Sequence, residues 1–214
     1  MSRCLLLLLL PLTAAFVGGW AVITVEDPPE YAVAGRPVSL SYTVRQHGVT
    51  KLSGLRGRVA ARSGDVATEA VATAGPGAGQ YVATLTLPRA GDWTITIHSG
   101  FMKSQVTLVP LRVIDPGTDA PPALVQRERG RQLFVAKGCV TCHVHSAVAG
   151  SGTVAVGPAE PGRQRPAEYV TRFLADPSIG PRTNAVQMPN LDLKPQEIAA
   201  LTTFLTEDHS PTVP

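Results

Sequence analysis

Cys139-Val140-Thr141-Cys142-His143 places three strong ligating side chains within five residues. The chain holds three cysteines and five histidines in 214 residues. At that frequency a C-x-x-C-H string is about a one-in-a-thousand accident. Cys4, the third cysteine, lies in an N-terminal segment that reads as a signal, so the mature chain keeps only this pair.

Four chemistries compete for the motif. Two thiols at this spacing can each add to one vinyl group along a single haem edge, and the next residue then falls beneath the iron as its axial base. Cys139 and Cys142 would be the thioether anchors and His143 the proximal ligand. A redox-active disulfide wants a βαβ setting, which these flanks do not offer. Zinc could recruit Cys139, Cys142, His143 and His145, but four ligands within seven residues leave little freedom for a tetrahedron. An inert disulfide is the remaining alternative in an exported chain.

The flanks favour the haem reading. From Leu124 to Gly138 the sequence predicts a helix with a groove at Gly130 and a knob at Phe134, ended by Gly138. A second helix is expected from Pro166, with Tyr169, Val170, Phe173 and Leu174 at helical spacing before Pro177. A third runs from Pro195 with Ile198, Leu201 and Leu205 on one face. Three helices in about 90 residues make a poor core by themselves, and a buried porphyrin would supply the missing apolar mass. Beyond the initiator the methionines are Met102 and Met188, and only Met188 follows the motif. Pro189 extends the chain behind it, suited to presenting a soft thioether to iron. The alternative leaves Met188 as core filler, with the sixth position open or taken by His209. His145 reads as a surface residue. Arg163, Arg165, Arg172 and Arg182 are available to the propionates, though none is singled out.

Within a C-terminal domain placed at 125–214, residues from about 125 to 207 resemble a class I c-type cytochrome domain, through Gly130, Phe134, the attachment motif, Gly157-Pro158, Met188-Pro189 and the Ile198 to Leu205 helix. The resemblance implies an all-α cytochrome c fold in which the first and last helices cross. It implies one covalent haem c with a His143/Met188 iron, and a carbonyl of Pro158 that orients the proximal imidazole. With both axial positions filled, the expected function is electron transfer to a redox partner protein rather than catalysis at iron.

The first half follows a period of two. Val38, Leu40, Tyr42 and Val44 alternate with hydroxyl residues, and Tyr81 to Leu87 and Trp93 to Ile97 repeat the pattern. About seven short strands argue for an antiparallel, immunoglobulin-like β-sandwich over residues 22–114. Gly79-Gln80-Tyr81-Val82-Ala83 is similar to the strand of a tyrosine corner. Gly79-Gln80-Tyr81 to Leu87-Pro88 and Ala90 to Ile95 resemble the exported YtkA-like modules. That resemblance brings a copper-handling alternative, for which His47, His98 and Met102 are the available soft or borderline ligands. Residues 115–124, rich in Pro and Gly, read as a linker that tethers the haem domain without fixing it.

Residues 1–21 read as a secretory signal: Arg3, an apolar run from Leu5, and small residues before a cleavage point near Ala21. The apolar stretch from Cys4 to Val25 is also long enough to stay as a membrane anchor. The expected location is therefore periplasmic or otherwise extracytoplasmic. A membrane respiratory complex is the natural partner class, and the alternative role is a haem-bearing accessory subunit of such a complex or of a dehydrogenase. A formal charge of +3 excludes a nucleic-acid surface built on excess basic charge. Residues 22–124 and 125–214 each carry nine basic and eight acidic groups. Neither half sets up a long-range steering field. Electron-transfer rates to the partner are accordingly expected to change little with ionic strength; a steep fall in stopped-flow rates as salt rises would contradict this.

Overall fold

The computed structural model describes residues 19–180 and 187–207. Residues 1–18 of the segment expected to be a signal, Arg182 and His209 lie outside the described residues. Among the described residues no helix is long and apolar enough to cross a membrane.

The N-terminal region is built of two β-sheets. One holds β1 (Ala21–Val25), β3 (Pro37–Gln46), β8 (Gln80–Thr86) and β7 (Thr73–Ala74) in that order, with β4 (Thr50–Lys51) beside β3. The other runs β2 (Tyr31–Val33), β11 (Leu111–Ile114), β9 (Gly91–His98), β5 (Arg58–Ser63) and β6 (Val66–Val71), with β10 (Gln105–Thr107) on β9. Pairing is antiparallel except between β2 and β11. The period of two decides which side chains meet. Leu40 faces Ala83 and Tyr42 faces Tyr81 across β3 and β8, with all four buried. Trp93, Ile95 and Ile97 on β9 bury the opposing face. The two tyrosine rings stack at 5.7 Å. The Tyr81 hydroxyl donates to the Leu52 carbonyl at 2.7 Å and accepts from the Leu55 N–H at 3.0 Å. It thus ties β8 to a connection far upstream, whereas a tyrosine corner bonds back over only a few residues.

Pattern reading finds the long strands and misses the short ones. Residues 104–114 hold two short strands, β10 and β11, with Pro110 between them. Proline has no N–H to give a ladder. β2 is three residues long and gains its strand character only from its parallel partner.

The C-terminal region is helical: α1 (Gln126–Ala136), α2 (Cys139–Cys142), α3 (Ala167–Ala175), a 3-10 turn (Pro177–Ile179) and α4 (Pro195–Thr206). α1 and α4 cross at Gly130. A Cβ placed there would lie 2.1 Å from the Ala200 carbonyl oxygen and 2.6 Å from the Phe204 Cβ. No residue larger than glycine allows this approach. Phe134 packs one turn further on against Phe204, ring centres 5.7 Å apart. α3 joins α4 through Thr171 and Thr202, whose hydroxyls are 3.2 Å apart.

The expectation of a loosely tethered haem domain does not hold. Glu26 to Glu30, leaving β1, runs beside α1. Arg129 donates to the Pro28 carbonyl and Gln132 to the Pro29 carbonyl, each at 2.9 Å. The Leu124 N–H, at the end of the linker, donates to Glu30. The centre of this contact is Lys137, directly after α1. Its ammonium meets Glu197 Oε1 at 2.7 Å and donates to the Glu26 carbonyl at 2.5 Å. The side chains of Lys137 and Glu197 are only 4% and 5% exposed. The second oxygen of Glu197 accepts the Lys194 N–H at the start of α4.

Breaking a buried pair from one side leaves an uncompensated charge, which costs about 3–5 kcal/mol. Lys137→Ala and Glu197→Ala are each expected to lose stability of that order in denaturant titration. Replacing the two together by Met and Leu should cost much less.

Candidate functional site

The turn after α1 aims the motif. Gly138 has φ of +82°, and a Cβ on it would meet Val22 Cγ1 at 2.5 Å and the Ile23 carbonyl at 2.6 Å. Glycine is required here for both the left-handed backbone and the close approach to β1. The reversal starts α2 at Cys139 and ends it at Cys142, so a single helical turn carries both thiols. The chain then folds back over α2: Gly152, Val154 and Gly157 donate their N–H groups to the carbonyls of Val140, Thr141 and Cys142. These are carbonyls that a helix end leaves unpaired.

This return brings Gly157-Pro158 onto His143. The imidazole is 9% exposed, and its Nδ1 lies 2.9 Å from the Pro158 carbonyl oxygen. A carbonyl only accepts, so Nδ1 carries the proton and Nε2 keeps a lone pair for a metal. Burial holds the His143 pKa below the usual imidazole value, and the bond to Pro158 opposes that shift. Gly157 packs directly against the ring. A Cβ there would be 2.5 Å from Cε1 and 2.6 Å from Nδ1.

Cys139, Cys142, His143, Pro158 and Met188 all line one cavity of about 600 Å³. That volume is in the range of small-molecule and cofactor sites, and most of the lining side chains are apolar. The two thiols, the free imidazole nitrogen and the thioether fit a haem attached at one edge. Cys139 and Cys142 are free thiols. Burial pushes the Cys139 thiol up to about 12, with Cys142 as a lesser cause, and burial also raises Cys142. A redox-active C-x-x-C depends on the opposite, a lowered thiol pKa.

His145 corrects the sequence reading. It is 2% exposed, not on the surface. Its ring stacks on Phe204 at 4.5 Å and meets Phe134 edge-on at 5.3 Å, against the α1–α4 crossing. Its Nδ1 accepts the Ala147 N–H at 3.2 Å. The aromatic pocket at the crossing accounts for its burial, and this position takes it out of a zinc set with Cys139 and Cys142. Among the described residues no group of three His, Cys, Asp or Glu could hold a metal ion.

Of the arginines available to propionates, Arg165 lines the cavity, its guanidinium 5.6 Å from the Tyr169 ring centre. Of the soft ligands in the sandwich, His47 packs on Trp20 with ring centres 5.2 Å apart, and both line the haem-sized cavity. His98 lies on β9 opposite Arg58 and Gln105, and Met102 is exposed. Trp20, Val22 and His47 are the lining residues that pattern reading missed as part of this site. No local signal places a strand edge against a cavity more than 90 residues away.

Gly157→Val is expected to force the imidazole off its present plane. Low-spin haem signals in the absorption spectrum should fall in this variant, and a spectrum identical to wild type would separate Gly157 from the site.

No curated protein matches the chain. Among solved structures it is similar to surface layer protein SbsC, domains 1–6, at 24% identity and TM-score 0.34, over 46% of this chain and 13% of that one. It is also similar to superoxide reductase (neelaredoxin) from Ignicoccus hospitalis, at 13% identity and TM-score 0.30, over 45% of this chain and 84% of that one. Residues 127–207 match the family model described as Cytochrome c. With the attachment motif and the cavity it faces, this match supports a c-type cytochrome domain over residues 127–207, and with it haem c binding and haem-based electron transfer in general.

Proposed function

We propose that the chain is an exported electron carrier with one covalent haem c, held between His143 and Met188, and that it has no catalytic turnover of its own. The observation that carries this reading is a single cavity lined by Cys139, Cys142, Met188 and His143, whose Nδ1 is held by the Pro158 carbonyl. Haem iron with imidazole and thioether axial ligands has a raised reduction potential and passes single electrons with no open site for substrate.

The chain's own residues do the rest. Cys139 and Cys142 fix the ring at one edge. Pro158 holds the proton on His143 Nδ1, which raises the basicity of the opposite nitrogen. Leu174, Leu191 and Leu201 keep the pocket apolar and exclude water. Export agrees with the apolar N-terminal segment and with the extracytoplasmic setting in which c-type cytochromes work. The order β1-β3-β8-β7 facing β2-β11-β9-β5-β6 supports an immunoglobulin-like reading of the sandwich, whose role is to present the haem module to a redox partner.

Met188→Ala tests the ligand assignment. The midpoint potential is expected to fall by about 0.1–0.3 V, a fraction of the roughly 0.8 V that axial ligation spans. Haem should stay covalently attached. An unchanged potential in redox titration would remove Met188 from the iron.

A further inference from the structure

The segment that carries Met188 runs into α4, and from Gln187 to Lys194 it has no helix or strand of its own. Such a segment holds a side chain in place only if something packs against it. Both ends of it rest on the sandwich. At one end, Gly48 in the β3–β4 turn faces Pro189: a Cβ on Gly48 would lie 3.0 Å from Pro189 Cγ and 3.6 Å from Cδ. At the other end, the Lys194 ammonium pairs with Asp27 just after β1. The supporting turn is itself fixed. Gly48 and Val49 donate to the carbonyls of Arg45 and Gln46, and His47 donates to the Trp20 carbonyl at 3.1 Å. Gly48 has φ of +77°, so the turn both needs glycine for its backbone and uses the missing side chain to seat the proline. Between the two supports, Leu191 is buried in the cavity wall beside Met188.

We propose that the β-sandwich positions the distal ligand: the β3–β4 turn against Pro189 and Asp27 against Lys194 hold the Met188 loop so that its thioether stays on the iron. The proposal rests on the His143/Met188 reading. It gives the first half of the chain a role in setting the reduction potential, beyond docking. Gly48, Asp27 and Lys194 are positioning residues, acting through the loop and touching no cofactor.

The test uses the full-length holoprotein and two signals of methionine ligation, the thioether-to-iron charge-transfer band of the ferric form and the midpoint potential. Gly48→Val drives a side chain into Pro189 and is expected to remove most of the band and lower the potential, with haem still attached. Asp27→Lys sets two ammonium groups against each other and should lower the pH at which the band disappears. Pairing Asp27→Lys with Lys194→Asp should restore it, which a general loss of stability would not do. Asp65→Ala, which breaks the exposed Arg89 pair elsewhere on the sandwich, should leave both signals at wild-type values. If Gly48→Val alters the far-UV circular dichroism, the charge reversal and its rescue decide alone. Band and potential unchanged in Gly48→Val and Asp27→Lys would overturn the positioning role while leaving Met188 ligation standing. A wild-type protein without the band would overturn both.

Discussion

A lysine ammonium buried where three segments meet holds the molecule's two regions in one arrangement. Lys137 directly follows α1, Glu197 lies in the first turn of α4, and Glu26 leaves β1; one charge binds all three. Desolvating such a pair is expensive, and it persists because each partner is bonded more than once. The ammonium has a carboxylate and a carbonyl, and the carboxylate also takes a backbone N–H. Its contribution to net stability is modest, but it fixes where α1 and α4 lie relative to the sandwich. The motif follows α1 by two residues and the Met188 loop precedes α4 directly. The attachment motif and the Met188 loop are therefore registered against β1 by the same contact.

Two absent side chains build the site from that frame. At Gly130 the lack of a Cβ lets α1 and α4 cross closely enough for Phe134, Phe204 and His145 to form one aromatic cluster. At Gly157 the same lack lets the backbone lie on the His143 ring while the next carbonyl takes its proton. An imidazole so held needs no reorientation to bind iron. The apolar walls of the cavity keep water from it, which suits electron transfer with little rearrangement.

Much of this was legible in the residues. C-x-x-C-H, Gly130, the helix starting at Pro195 and the alternating strands β3, β8 and β9 are local patterns, with periods of 3.6 or 2 that carry their own meaning. What could not be read is long-range. The burial of His145 depends on two phenylalanines 11 and 59 residues away in the chain, which no local pattern announces. The burial of Lys137 and Glu197 is equally long-range, because nothing local says that β1 will cover them. The linker's composition predicted slack, yet the contact beside it is set by Glu26 to Glu30, nearly 90 residues upstream. The placement of Trp20, Val22 and His47 in the cavity wall has the same origin.

Covalent attachment is the claim on which the assignment stands, and it can be read directly from the pigment. Full-length protein made alongside a cytochrome c maturation system is run on a denaturing gel, stained for haem, and a second portion is extracted with acidic acetone. The stain should stay with the polypeptide and the acetone phase should remain colourless. Pigment that leaves the chain under either treatment would contradict the attachment through Cys139 and Cys142.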